Sequence, residues 1–333
     1  MTGTFLHRRC LAALFAAACL STLYPAAPAT ADQSAIPGLG PTGPIQRLHG
    51  QLQFTEGPAW DGRSSLYFTD IPANRIYKRD GQGQLTVFVE PSRHANGLFF
   101  NARGNLVACE MDGRLVEIDV QTRGVTPLAV EFEGQRLNAP NDLVVDRDGG
   151  IYFTDPRYRA PEPWPQGKEA FYYRAPDGTV TRLGDGLSAP NGIMLSPDEE
   201  TLYVVPSLQK QVMAYPVREP GVVGGGRVLC ELQQRQPDGN SGGDGLTVDM
   251  QGNLYITTGL GLQVFSPQGE ELGIIAFPEQ PANVTFGGMD GKTLFVTART
   301  ALYAAPMQVA GHVFPAGKQA DRSDDGDAAG ARP

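Results

Sequence analysis

Six short runs recur along this chain with the same order of side chains. They are "LYFTD" from Leu66, "LVACE" from Leu106, "IYFTD" from Ile151, "LYVVP" from Leu202, "LYITT" from Leu254 and "LFVTA" from Leu294. Each goes from a large apolar residue through further apolar or aromatic residues toward a small one. Their starts lie 40, 45, 51, 52 and 40 residues apart. Turn-forming sequence precedes every run ("DGRSS", "NARGN", "DRDGG", "SPDEE", "DMQGN", "GGMDGKT"), as a hairpin connection requires. More strand-like sequence follows, such as "RLVEIDV" and "GLQVFSP". No sustained 3.6-residue apolar period competes with this all-β pattern. A repeat of about 45 residues with about four strands per unit predicts a β-propeller, because one such sheet cannot bury both faces alone. Six repeats predict six blades. An ordinary sandwich would supply regular turns without a period of this length.

The flanks of the repeat are different in kind. Residues 1–31 combine Arg8 and Arg9, a short apolar stretch and an Ala29-Thr30-Ala31 step, the layout of a secretory signal peptide. The apolar stretch falls short of the roughly 20 residues a membrane span needs. The expectation is an exported protein, periplasmic or secreted, with a linker over 32–45, the propeller over 46–315 and a disordered tail over 316–333. That tail is rich in Gly, Ala and Asp and lacks an apolar pattern. Outside the leader only Cys109 and Cys230 remain, too few for a disulfide scaffold, and their pairing stays open. The chain has 36 acidic against 27 basic residues and a net charge of −9. That balance argues against nucleic acid or an anionic membrane as a partner and is compatible with binding a cation.

Ten or eleven residues before each run stands a carboxylate or carboxamide: Glu56, Asn96, Asn141, Asn191, Asp244 and Asn283. In a propeller the innermost strand of each blade begins near one mouth of the central channel, so one phase in every blade makes one ring. A single Asn before Gly or Asp is usually a turn residue, but a turn has no use for Glu56 or Asp244. A ring of such oxygens suits a hard cation, Ca²⁺ first and Mg²⁺ or Mn²⁺ after it. Asp155, ending the run that follows Asn141, is a further candidate oxygen. Asn96, Asn283, Arg136 and His94 are expected to contact substrate at the mouth. "GNSGG" at Gly239–Gly243 matches a serine-hydrolase pattern, yet it precedes a strand and no histidine shares the ring phase. The insertion "RYRAPEPWPQGKEAFYY" after Asp155 and Pro156 is expected to cover the mouth as a lid.

Four segments carry a resemblance to a known family: "EGPAW" at Glu56, "APNDLVVD…IYFTDP" around Asn141, "APNGIMLSPD" around Asn191 and "GGDGLTVDMQGNLYIT" around Asp244. From about Gln53 to Ala305 the chain resembles the regucalcin–gluconolactonase family, six-bladed propellers that hydrolyse lactones with a central divalent metal. The resemblance implies Glu56, Asn141, Asn191 and Asp244 as metal ligands, Asp244 as the catalytic acid/base, and Asp155 as an added ligand of the lactonase branch. It implies a small-molecule lactone as substrate and a divalent cation, Ca²⁺ or else Mg²⁺, Mn²⁺ or Zn²⁺. A monomer is expected. Two departures stand out: Ala139 replaces an arginine that binds sugar lactone in animal members, and Gly245 replaces a serine of some bacterial ones. An ester or phosphotriester hydrolase on the same ring, or a propeller that only binds a ligand, remain the alternatives. Whether Asp244 or a metal-held hydroxide acts as base stays open.

Overall fold

The six repeat runs become the second strands of six antiparallel sheets: Leu66–Asp70, Leu106–Glu110, Ile151–Asp155, Thr201–Pro206, Leu254–Thr258 and Thr293–Ala298. The computed structural model describes residues 35–236 and 238–314. The signal-peptide reading of 1–31 and the tail reading of 316–333 lie outside them. Among the described residues every regular element is a strand.

Each run pairs with an inner strand before it and a third strand after it, and a fourth strand completes the blade. The first blade is Thr55–Trp60, Leu66–Asp70, Arg75–Arg79 and Leu85–Val89. The other inner strands are Ala95–Phe100, Leu143–Val145, Pro190–Leu195, Leu246–Val248 and Pro281–Gly287. Every inner strand touches the next blade's inner strand, and the sixth touches the first. The arrangement is a closed six-bladed β-propeller. In the second strands Phe68, Tyr152, Phe153 and Tyr255 are all but fully buried. Both faces are sandwiched between blades, so these strands read as continuous apolar runs and do not alternate.

The circle of sheets is closed by a strand that precedes the first blade in sequence. Gln46–His49 pairs antiparallel with Ala301–Pro306 as the outermost strand of the sixth blade. The stretch expected as a linker is partly structural. Ile36 and Leu39 are buried against Tyr255, Val284 and Leu294, and the Thr42 amide donates to the Pro306 carbonyl at 2.7 Å. At the other end of the described chain, the His312 amide donates to Val248, and Phe314 packs edge-on against Phe99. Cys109 and Cys230 are both buried and free.

Candidate active site

The strand ladders break where the ring residues stand. Pairing of the inner strand slips between Glu56 and Ala59, between Ala95 and Leu98, between Pro190 and Ile193, and between Pro281 and Asn283. In the other two blades pairing starts only at Leu143 and Leu246, after Asn141 and Asp244. Such bulges turn a side chain out of the sheet's alternation. The backbone that leaves its own ladder bonds the next blade. Gly97 N–H donates to Asn141 O at 2.7 Å, Gly192 N–H to Asp244 O at 3.1 Å and Gly245 N–H to Ala282 O at 2.9 Å. A Cβ at Gly97 would lie 2.6 Å from Asp142 Oδ1, and one at Gly245 only 2.1 Å from Asn283 Cγ. Glycine therefore follows the ring residue because the neighbouring blade occupies the space.

The structure brings ring side chains from separate blades together. Asn283 Nδ2 donates to Asp142 Oδ2 at 3.3 Å, although 141 residues separate them. Burial pushes the Glu56 carboxyl well above the usual carboxylate range, and the charges of Asp244 and Asp142 add to it; bonds from Gly57 N–H and Asn283 offset only part. Burial likewise raises Asp142 to about 7, against the pull of the Leu143 N–H and Asn283. Burial raises Asp244 too, partly offset by Asn191 and by the charge of Arg299. Glu56, Asn96, Asn141, Asn191 and Asn283 are buried, while Asp244 is half-buried and opens onto a polar cavity of about 510 Å³.

Two residues at this site escaped the sequence pattern. Asp142 was visible as an exception: Gly57, Gly97, Gly192, Gly245 and Val284 follow the other five ring positions, and only here is the following residue charged. Tyr158 comes from the insertion after Asp155 and lies outside the repeat, so spacing could not find it. Its hydroxyl stands 3.5 Å from Asn191 Nδ2, which also donates to Ser207 Oγ at 3.0 Å. The insertion is pinned at its base, where the Gln166 amide donates to the carbonyls of Phe132, Gln135 and Arg136.

Other expected site residues make contacts within the protein. Both Asp155 oxygens accept backbone N–H groups, from Asn138 at 2.8 Å and Ala139 at 2.7 Å. Asp70, at the same place in the first blade, does likewise for Gln53 and Phe54. Asp155 thus anchors the approach to Asn141, and its burial lifts its carboxyl to about 7 despite those two N–H donors. Arg136 donates to the carbonyls of Leu137 and Asn138, and His94 Nδ1 lies 3.0 Å from Asp112 Oδ1. Ser241 is exposed, and its amide donates to Gln234.

The donor set fits a hard cation. The side-chain oxygens of Asn96 and Asn191 are buried and have no hydrogen-bond partner. Three carboxylates repel one another nearby, an arrangement that a positive charge would relieve. Among the described residues no three His, Cys, Asp or Glu side chains form a metal cluster by themselves. Amide oxygens would have to complete the shell.

Comparison with known proteins gives a consistent result. The profile described as SMP-30/Gluconolactonase/LRE-like region matches residues 54–300. A gluconolactonase of Zymomonas mobilis is 32% identical over 280 residues, covering 77% of this chain and 79% of that protein. Among solved structures, the gluconolactonase XC5397 of Xanthomonas campestris superposes with a TM-score of 0.72 at 32% identity, over 79% of this chain and 89% of its own. Regucalcin of Agrobacterium tumefaciens, described as a calcium-binding protein, shares the fold at 23% identity and a TM-score of 0.69, covering 81% and 95% of the two chains.

Proposed function

We propose, for a chain that belongs to the SMP-30/gluconolactonase/LRE-like family, that it is a lactone-hydrolysing enzyme and that its chemistry takes place at the ring of oxygens at the channel mouth. The observation that carries this reading is the convergence of Glu56, Asp142 and Asp244 with the unpartnered amide oxygens of Asn96 and Asn191. Glu56, Asn141, Asn191 and Asp244 would hold a divalent cation, Ca²⁺ first, with Mg²⁺, Mn²⁺ or Zn²⁺ as alternatives. When bound, it would polarise the lactone carbonyl and offset the negative charge that develops on its oxygen.

The chain's own groups supply the rest. Asp244 belongs to the ring and also lines the cavity, so it can reach both water and substrate. It takes a proton from the attacking water and returns it to the ring oxygen as the C–O bond breaks. The product is an open-chain hydroxy acid. Asp142 and Asn283 bond each other across blades, and Asn191 donates to Ser207, which lines the same cavity, with the Tyr158 hydroxyl 3.5 Å from the same amide nitrogen. Asp155 keeps the approach to Asn141 in place. The leader-like sequence over 1–31 supports export to the periplasm or beyond, and closure of the sixth blade by a strand of the same chain supports a monomer.

The test is proton release from D-glucono-δ-lactone by the wild type and Asp244→Asn, each with and without a chelator. The variant is expected to lose about 10²–10⁴-fold in rate while its melting temperature and circular dichroism stay those of a folded propeller. Chelation should silence the wild type, and readded Ca²⁺ should restore it. Undiminished turnover by Asp244→Asn would overturn its role as the base.

A further inference from the structure

The cavity beside Asp244 lacks the acidic excess of the chain as a whole, because its lining sets one acid against one base. It measures about 510 Å³, and among the described residues that line it Asp244 is the one acid and Arg235 the one base. The chain overall has 36 acids against 27 basic residues. The wall bears a guanidinium, Arg235, and the amides of Gln234, Gln236 and Gln280.

Arg235 is held in place without being neutralised. Its Nε donates to the Gly259 carbonyl at 2.7 Å, and its Nη2 bonds the same oxygen. The loop that carries it is stapled by Gln234, whose Nε2 donates to Leu232 O and Ser241 O while its Oε1 accepts from the Ser241 amide. Among the described residues the ion pairs engage other cations, and no carboxylate neutralises Arg235. Arg299 stands behind the same wall. Its Nη2 donates to Gln280 Oε1 at 3.2 Å, and its guanidinium lies over the Phe54 ring at 5.4 Å. It forms no ion pair among the described residues, and its charge also acts on Asp244. A planar guanidinium fixed on one edge and unpaired is preorganised for a carboxylate.

We propose that this cavity is a subsite for a carboxylate carried by the substrate itself, away from the ester that is opened. The preferred substrate class is then an acid lactone, with Arg235 as the residue that binds its free carboxylate and Arg299 adding positive charge behind it. This rests on the lactonase reading above. It adds a specificity that a ring of oxygens alone does not confer, because the ring sees only the ester.

The experiment compares D-glucaro-1,4-lactone, which carries a free carboxylate, with neutral D-glucono-1,4-lactone, for the wild type, Arg235→Gln and Arg235→Lys. The wild type should favour the acid lactone in kcat/KM by at least about tenfold, the lower end for a charge-assisted pair. Arg235→Gln should lose that preference, chiefly through KM, with turnover of the neutral lactone unchanged and Arg235→Lys in between. D-glucarate should compete with the neutral lactone against the wild type and about tenfold less well against Arg235→Gln. Equal use of both lactones by the wild type, or an unchanged ratio in Arg235→Gln, overturns the subsite and leaves the lactonase reading standing. Hydrolysis of neither lactone overturns both.

Discussion

At Gly57 the neighbouring blade leaves no room for a side chain. Its φ is +45°, and a Cβ built there would stand 2.0 Å from the Asn96 carbonyl oxygen. Gly57→Ala therefore meets two penalties, a left-handed backbone and a backbone contact that cannot rotate away. The expected cost is about 3 kcal/mol, read from the denaturant midpoint, with lower turnover because Glu56 moves with it. Stability within about 0.5 kcal/mol of the wild type would show that the blades can part there. The same crowding explains what the residues revealed in advance. "EG", "NG" and "DG" at Glu56, Asn96, Asn191 and Asp244 record a ring oxygen followed by a position where blades touch. "ND" at Asn141 breaks that rule, and Asp142 is the buried acid that bonds Asn283 across the channel.

At the scale of the element, the threonine near the end of several repeat runs proves to be a tie between blades. Thr69 Oγ1 donates to Asn96 O at 3.0 Å, Thr154 Oγ1 to Asn191 O at 2.7 Å and Thr257 Oγ1 to Ala282 O at 2.7 Å. Each acceptor is a ring residue's carbonyl or the one just before it, so the second strand of one blade sets the ring of the next. Thr154 also accepts from the Asp142 amide at 3.1 Å. Thr154→Val keeps the shape and deletes both bonds, leaving buried polar groups unpaired. Urea unfolding should show a loss of about 2 kcal/mol; a change under about 0.5 kcal/mol would mean that water replaces the hydroxyl at no cost. From sequence these threonines looked like ordinary strand residues. Their partners are 25 to 37 residues away in the next blade, and no local pattern marks such a distance.

The whole molecule depends on closing its circle, and Glu279 sits at that closure. Its carboxylate accepts from the Thr300 amide at 2.9 Å, the Thr300 hydroxyl at 2.8 Å and the Tyr303 hydroxyl at 3.0 Å, with Arg47 of the closing strand 3.6 Å away. Burial opposes its ionisation, but these donors outweigh it and hold the carboxyl below the usual carboxylate range. A carboxyl more acidic in the folded than in the unfolded state adds stability above the unfolded value, about 4.3. That stability is lost as the pH falls through the folded value. Glu279→Gln should therefore lower the melting temperature at pH 7, and the gap from wild type should narrow as the pH drops below about 4. A gap independent of pH would mean that the carboxylate's charge plays no part in the closure.

The sequence by itself determined the number of blades, the phase at which each presents an oxygen, and the identity of the two charged members, Glu56 and Asp244. A period and a phase are properties of one repeat, and every repeat restates them. Only the tertiary structure decided which oxygens meet. Asp155 and Asp142 are both acids near Asn141, yet Asp155 turns back to hold two amides of its own blade while Asp142 reaches Asn283 in another. Tyr158 and Arg235 belong to loops outside the period, and their place beside the ring follows from how those loops are anchored. The physical reason is one of range. Turn and strand preferences act over a few residues, whereas the site is assembled from contacts between blades far apart in the chain.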